Sequence, residues 1–167
     1  MIKAVAKTAP SLTTAFPPVP VPPPADRLPR TYRPFAPTGQ FVLVIDGSPT
    51  IQKISEVTLR REGYEVRCFG DGIDAMRWFA GPQARIPDLM LVDLDLPKLD
   101  GYRVIQKFKA KSRFAHTACL VLCKHEIPGQ ELLEQMGVAG SLRKPFTIQE
   151  LVTAVQASLA NSLRMLA

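Results

Sequence analysis

The sequence predicts an α/β fold: a doubly wound sheet of five parallel strands in the order 2-1-3-4-5, flanked by five helices. Three observations predict it. From residue 41 onward, short apolar runs alternate with helix-patterned stretches, and such alternation implies a parallel sheet covered on both faces. Crossovers between parallel strands are right-handed, which leaves few ways to thread the chain. Residues able to do chemistry also end the runs: Asp46 closes FVLVID with Gly47 behind it, Asp93 closes DLMLVD, Cys123 closes ACLVLC, and Lys144 lies in VAGSLRKPF. Functional groups of an open parallel sheet gather beyond the carboxyl ends of its strands. Two carboxylates and an ammonium from distant parts of the chain are therefore expected in one crevice.

In order, the pattern predicts a strand at 41–46, helix 49–62, strand 64–69, helix 72–80, strand 88–93, helix 99–111, strand 118–123, a short helix 129–136, strand 138–142 and helix 148–165. Ser48 followed by Pro49 supplies an N-cap and a proline for the first helical turn. Thr147 and Glu150 form a T-x-x-E capping box. Behind it Ile148, Leu151, Val152, Val155 and Leu159 make an apolar stripe at helical spacing. Gly63, Gly81, Gly137 and Gly140 punctuate the connections.

A chain of 167 residues accommodates one folded domain and an appendage. The appendage is residues 1–40, which contain ten of the sixteen prolines, including PPVPVPPP at 17–24. Proline removes backbone donors and favours extended polyproline geometry, so this stretch reads as a disordered, basic, Pro-rich tail before a domain at 41–167. The tail also carries +4 of the net charge of +6. The remaining +2 is too mild to indicate a nucleic-acid surface. Cys68, Cys119 and Cys123 are an odd number without metal-ligand spacing. Cys119 and Cys123, four apart on a strand, stand about 13 Å apart, whereas a disulfide needs roughly 5–6 Å. Free thiols, no run of membrane-spanning length and no secretory signal point to the cytoplasm.

The stretches VLVIDGSPTIQKI at 42–54, PDLMLVDLDLPKLDGYRVI at 87–105 and LRKPFTIQEL at 142–151 resemble a response-regulator receiver domain, the phosphoacceptor module of two-component signalling. The middle stretch is the most specific: an aspartate ending a strand, then Pro97, then Asp100 and Gly101. The resemblance covers residues 41 to about 160. It implies a flavodoxin-like fold, in agreement with the order above, and a role for each site residue. Asp93 would be the phosphoacceptor, its carboxylate attacking a phosphoryl group carried by a histidine kinase or phosphotransfer protein. Asp46 and Asp93, with the backbone carbonyl of Asp95, would hold Mg²⁺, a hard cation that completes its octahedron from water and phosphate. Lys144 would set an ammonium against the phosphoryl oxygens. A lone aspartate at a strand end is ordinarily a solvated loop residue or cap. Asp46, Asp93 and Lys144 together at family spacing are not.

Three positions depart from the family pattern. Gly47 stands where a second acid is usual, which removes a metal ligand and a negative charge, so Mg²⁺ is expected to bind weakly. The side chain of Asp95 is a candidate replacement. Cys123 stands where Thr or Ser donates a hydrogen bond to the phosphoryl group, and a thiol is a weaker donor. Its alternatives are a redox-sensitive thiol assisted by Lys124 and a small buried hydrophobe. Ser141 occupies the aromatic switch position. Lys124 is either a second cation near the phosphate or a shield over it, and His125 without a second ligand is poor ground for a transition metal.

The reading that follows is a non-enzymatic, single-domain phosphorelay receiver. At most it catalyses transfer to its own aspartate, and it signals by contact with a downstream protein, with no nucleic acid or membrane. The competing reading is a pseudo-receiver that needs no phosphate. A nucleotide-binding enzyme is excluded because DGSPT offers one glycine followed by Ser-Pro instead of a phosphate-cradling loop. Limited proteolysis of the full chain is predicted to trim it to near Phe41 and leave a stable core. Unfolding upon trimming would reject the tail assignment.

Overall fold

The computed structural model describes residues 38–125 and 128–165, so the tail assignment falls, up to residue 37, outside the described residues. Five parallel strands form one sheet in the order β2-β1-β3-β4-β5, as the crossover argument requires. They are β1 (Phe41–Ile45), β2 (Glu65–Phe69), β3 (Leu89–Asp93), β4 (Ala118–Cys123) and β5 (Gly140–Arg143). Between them run α1 (Pro49–Arg61), α2 (Gly72–Ala80), α3 (Gly101–Lys109) and α4 (Gln130–Gln135), and α5 (Ile148–Met165) follows β5. Thr38 reaches the fold through its backbone N–H and its hydroxyl, both donating to the Gly63 carbonyl at 3.0 and 3.1 Å.

Strand periodicity divides the core in two. Leu43, Ile45, Met90, Val92, Cys119, Val121 and Cys123 face α2, α3 and α4 through Phe79, Val104, Ile105, Phe108 and Leu133. Val42, Val44, Leu89, Leu91, Leu120 and Leu122 face α1 and α5 through Leu59, Leu151, Val155 and Leu159. The central strands β1, β3 and β4 are buried throughout. Each large apolar side chain so removed from water stabilises by about 1.5–3 kcal/mol. The ring of Phe108 stacks on Phe114 at 4.0 Å between centroids, and Phe79 meets both edge-on or tilted. Trp78, at the far end of α2, packs against Phe41 at 6.0 Å and Phe69 at 5.7 Å.

The caps expected from sequence are present. Ser48 Oγ accepts the Ile51 N–H at 3.4 Å, with Pro49 in the first turn. In the capping box Glu150 accepts the Thr147 N–H at 2.7 Å, and Thr147 accepts the Glu150 N–H at 3.2 Å. Gly63, at φ 88°, ends α1 in the left-handed conformation that a side chain resists. Several boundaries shift by one or two residues from expectation, and two of the larger shifts have a plain cause. β5 begins at Gly140 and not at 138, because the Val138 N–H caps the Leu133 carbonyl at 2.9 Å and so belongs to the end of α4. α3 begins at Gly101 and not at 99, because Asp100 takes the N-cap through Arg103 N–H at 2.9 Å and Leu99 N–H turns to the Pro97 carbonyl.

Gly101 has no room for a side chain: a Cβ there would lie 2.2 Å from the Asp93 carbonyl oxygen. Its N–H also donates to the Leu94 carbonyl at 3.1 Å, so α3 starts in direct contact with the end of β3. Gly101→Ala is predicted to cost about 3 kcal/mol, read as a lowered urea midpoint with unchanged slope.

Candidate phosphoacceptor site

Because all five strands run the same way, the loops after β1, β3 and β5 open at one edge of the sheet, and Asp46, Asp93 and Lys144 meet there. Lys144 Nζ donates to Asp46 Oδ2 at 2.6 Å and to Asp93 Oδ2 at 2.7 Å. The side chain of Lys144 is 9% exposed, that of Asp46 0% and that of Asp93 3%. Removing two carboxylates from water is costly unless their charge is met, and one ammonium meets both. Each carboxylate uses its other oxygen on the backbone. Asp46 Oδ1 accepts Ser48 N–H at 2.8 Å, and Asp93 Oδ1 accepts Asp95 N–H at 3.1 Å. The Lys144 N–H donates to the Cys123 carbonyl at 2.8 Å, and the chain turns through a cis Lys144–Pro145 bond.

Family resemblance implies Mg²⁺ here, and the residues fit it in a restricted sense. Asp46 and Asp93 offer hard oxygens, and the Asp95 backbone is tied to Asp93. Gly47 adds no ligand, and among the described residues no group of three or more His, Cys, Asp or Glu could hold a metal. Such a set suits a cation that draws most of its octahedron from water and phosphate. A side chain at 47 would put its Cβ 3.1 Å from Pro97 Cδ, so the proline ring lies over the position of the absent acid.

The remaining sequence-predicted residues scatter around this centre. Asp95 is exposed at the rim. Cys123 is buried, and its thiol points at the Leu142 carbonyl, 3.8 Å from Sγ. Burial pushes that thiol above its ordinary pKa. Asp95 and Asp93 push the same way, while Arg143 and Lys144 draw it down without prevailing. Lys124 and His125 are exposed, and neither makes an ion pair among the described residues. Ser141 pairs with Val121 in the β4–β5 ladder, half-buried on the α4 side of the sheet.

Sequence reasoning missed two groups of contacts. Gln52 Nε2 donates to the Asp46 carbonyl at 2.8 Å, one turn into α1. Lys98, in the loop after β3, donates to Asp71 Oδ2 at 2.5 Å, while Asp71 Oδ1 caps α2 through Asp74 N–H at 2.8 Å. The G-D-G run at 70–72 could have suggested the cap; no local signal marks Lys98 as its partner.

With this geometry in place, the sequence profile of the response regulator receiver domain matches residues 42–156. The chain belongs to the response regulator receiver family. Among its relatives, protein PilG of Pseudomonas aeruginosa is 34% identical over 122 residues, covering 71% of this chain and 87% of PilG. RpaA of Synechocystis, named a DNA-binding dual master transcriptional regulator, is 32% identical over 129 residues, 74% of this chain and 51% of RpaA. The chain thus spans only about half of that protein's length. Among solved structures, chemotaxis protein CheY4 of Vibrio cholerae superposes with TM-score 0.65 at 28% identity, over 71% of this chain and 98% of CheY4. The receiver domain of sensor histidine kinase PA1611 from P. aeruginosa, solved with a magnesium ion in its active site cleft, superposes with TM-score 0.62 at 30% identity, over 72% and 98%. Receiver domains are signalling modules of two-component phosphorelay, and that is this chain's class. No helix among the described residues is long and apolar enough to cross a membrane.

All three thiols sit above their ordinary range because of burial, Cys68 and Cys119 at about 11. A thiolate, not a thiol, is the reactive species, which favours Cys123 as a small buried hydrophobe over a redox sensor. Iodoacetamide at pH 7.5 is predicted to leave Cys119 and Cys123 unmodified in the folded protein and to label both in urea, as read by peptide mass. Prompt native labelling of Cys123 would reverse that assignment.

Proposed function

We propose that this receiver accepts a phosphoryl group on Asp93 from a histidine kinase or phosphotransfer protein and passes the signal on by contact with another protein. The observation carrying this reading is the single ammonium of Lys144 held within hydrogen-bond distance of both Asp46 and Asp93 at the carboxyl edge of the sheet. An Asp93 oxygen forms the new bond to phosphorus as the donor's phosphorus–nitrogen bond breaks, and the electron pair of that bond leaves with the donor imidazole. Two anions approach each other in this step, so the barrier depends on fixed positive charge at the phosphoryl oxygens. Lys144 supplies that charge from a buried position, which leaves it little reorganisation to make. Mg²⁺, when bound, adds charge neutralisation on the same oxygens, and Asp46, Asp93 and the Asp95 carbonyl are the groups that would hold it.

The departures shape the output. With Gly47 in place of an acid, the crevice has less negative charge to attract a divalent cation, so Mg²⁺ binds weakly. Exposed Lys124 stands close in sequence to the site as a second cation for the incoming phosphate. The Cys123 thiol, directed at a backbone carbonyl, and Ser141, with no ring to reorient, make a loose link between Asp93 and the α4–β5 side. We also infer a cytoplasmic domain with no nucleic-acid contact of its own, the charge outside the tail being only +2. The phosphorelay reading is preferred over a pseudo-receiver because Asp46, Asp93 and Lys144 stand together as a complete acceptor and cation set.

Incubation of the full chain with a small acyl-phosphate donor and Mg²⁺ is predicted to add one phosphoryl group by intact mass. Asp93→Asn is predicted to abolish the label, since an amide cannot form the acyl phosphate, and Gly47→Asp to lower the Mg²⁺ concentration required. Label surviving Asp93→Asn would sink the residue assignment. An unlabelled wild-type protein at high Mg²⁺, with donor and with kinase, would return the case to the pseudo-receiver.

A further inference from the structure

Three loops meet on the side of the crevice where Gly47 lies. Pro97, in the β3–α3 loop, covers Gly47, and Gly70, before α2, closes the same spot: a Cβ at 47 would stand 3.1 Å from Pro97 Cδ and 3.8 Å from the Gly70 carbonyl oxygen. The next residues along these two loops, Lys98 and Asp71, are joined by an ion pair at 2.5 Å. Asp71 is only 9% exposed on its side chain and is fixed a second time by capping α2. Lys98 is mostly exposed, and an exposed pair alone contributes little. The Lys98 backbone gives this pair something to restrain. Lys98 has φ 65°, and it is the one residue other than glycine with positive φ among the described residues. A side chain disfavours that conformation, so the surroundings must hold it there. On the same loop, Asp95 gives its N–H to Asp93 Oδ1 at 3.1 Å, and Leu99 gives its N–H to the Pro97 carbonyl at 2.7 Å.

We propose that Lys98 is a positioning residue: its ion pair with Asp71 latches the β3–α3 loop to the start of α2, holding Pro97 over Gly47 and the Asp95 backbone beside Asp93. The latch acts through the loop and touches no reacting atom. It rests on the phosphoacceptor reading only for its effect on the metal. Where a second acid is absent, the order of the Asp95 carbonyl takes a larger share in gathering a divalent cation. The tie from Asp71 supplies that order from outside the crevice. The ion pair draws the Asp71 carboxyl below its usual range and raises the Lys98 ammonium, so both remain charged near neutrality.

The test uses the full chain and two variants. Asn tolerates positive φ, so Lys98→Asn removes the charge without forcing the backbone, and Lys98→Arg keeps the charge. Hydrogen exchange at the Asp95 and Leu99 amides is expected to quicken about tenfold in Lys98→Asn and to return towards wild type in Lys98→Arg. Calorimetric titration with Mg²⁺ alone is expected to show weaker affinity in Lys98→Asn, by about threefold or more, and recovery in Lys98→Arg. Unchanged exchange in Lys98→Asn overturns the latch. Faster exchange with unchanged Mg²⁺ affinity overturns its positioning role. Exchange needs neither metal nor phosphate, so a wild-type protein that binds no Mg²⁺ and takes no label would count against the Asp93 reading, while exchange still decides the latch.

Discussion

One ammonium neutralising two buried carboxylates is the constraint on which this molecule depends. Asp46 and Asp93 come from strands that adjoin in the sheet, and like charges so close repel strongly in a poorly screened site. Lys144 must therefore arrive between them from the far side of the sheet. That demand fixes the turn after β5, where the Lys144 N–H is also tied to the end of β4. The order β2-β1-β3-β4-β5 makes this geometrically possible, since β1 and β3 are neighbours and only β4 separates β3 from β5. Folding thus draws on the same charge that the proposed phosphoryl transfer would use.

Most of this arrangement was legible in the sequence because it rests on period and punctuation. The unbroken apolar runs gave β1, β3 and β4, which lie between other strands with both faces covered. The T-x-x-E box placed the start of α5 because its hydrogen bonds are local. Asp46, Asp93 and Lys144 could be gathered from three distant runs because parallel strands deliver their ends to one edge. The limits at Val138 and Leu99 were not legible, because each was decided by which carbonyl a single N–H selects. A ladder residue and a helix-capping residue look alike in a string of letters.

Two features of the site lay beyond sequence pattern for a different reason. The pair Lys98–Asp71 joins residues twenty-seven positions apart, and neither belongs to an apolar period. The direction of the Cys123 thiol depends on the neighbouring β5 backbone, because Sγ turns to the Leu142 carbonyl. Residue type alone raised the possibility of a reactive thiol. Burial of Cys123 in the core on the α2–α4 side of the sheet, which composition does not convey, argues against it.

The aromatic cluster at the other end of the sheet has an optical consequence. Trp78 is the chain's single tryptophan, and its indole lies on Phe41, the first residue of β1. Asp46 follows the last residue of that same strand, about 16 Å away at the usual rise. Arg67, on β2, also stands over the indole at 5.0 Å, adding a cationic neighbour from the sheet. Intrinsic fluorescence therefore watches the sheet come apart and is nearly blind to the crevice. This receiver carries a built-in gauge of its integrity and none of its signalling state.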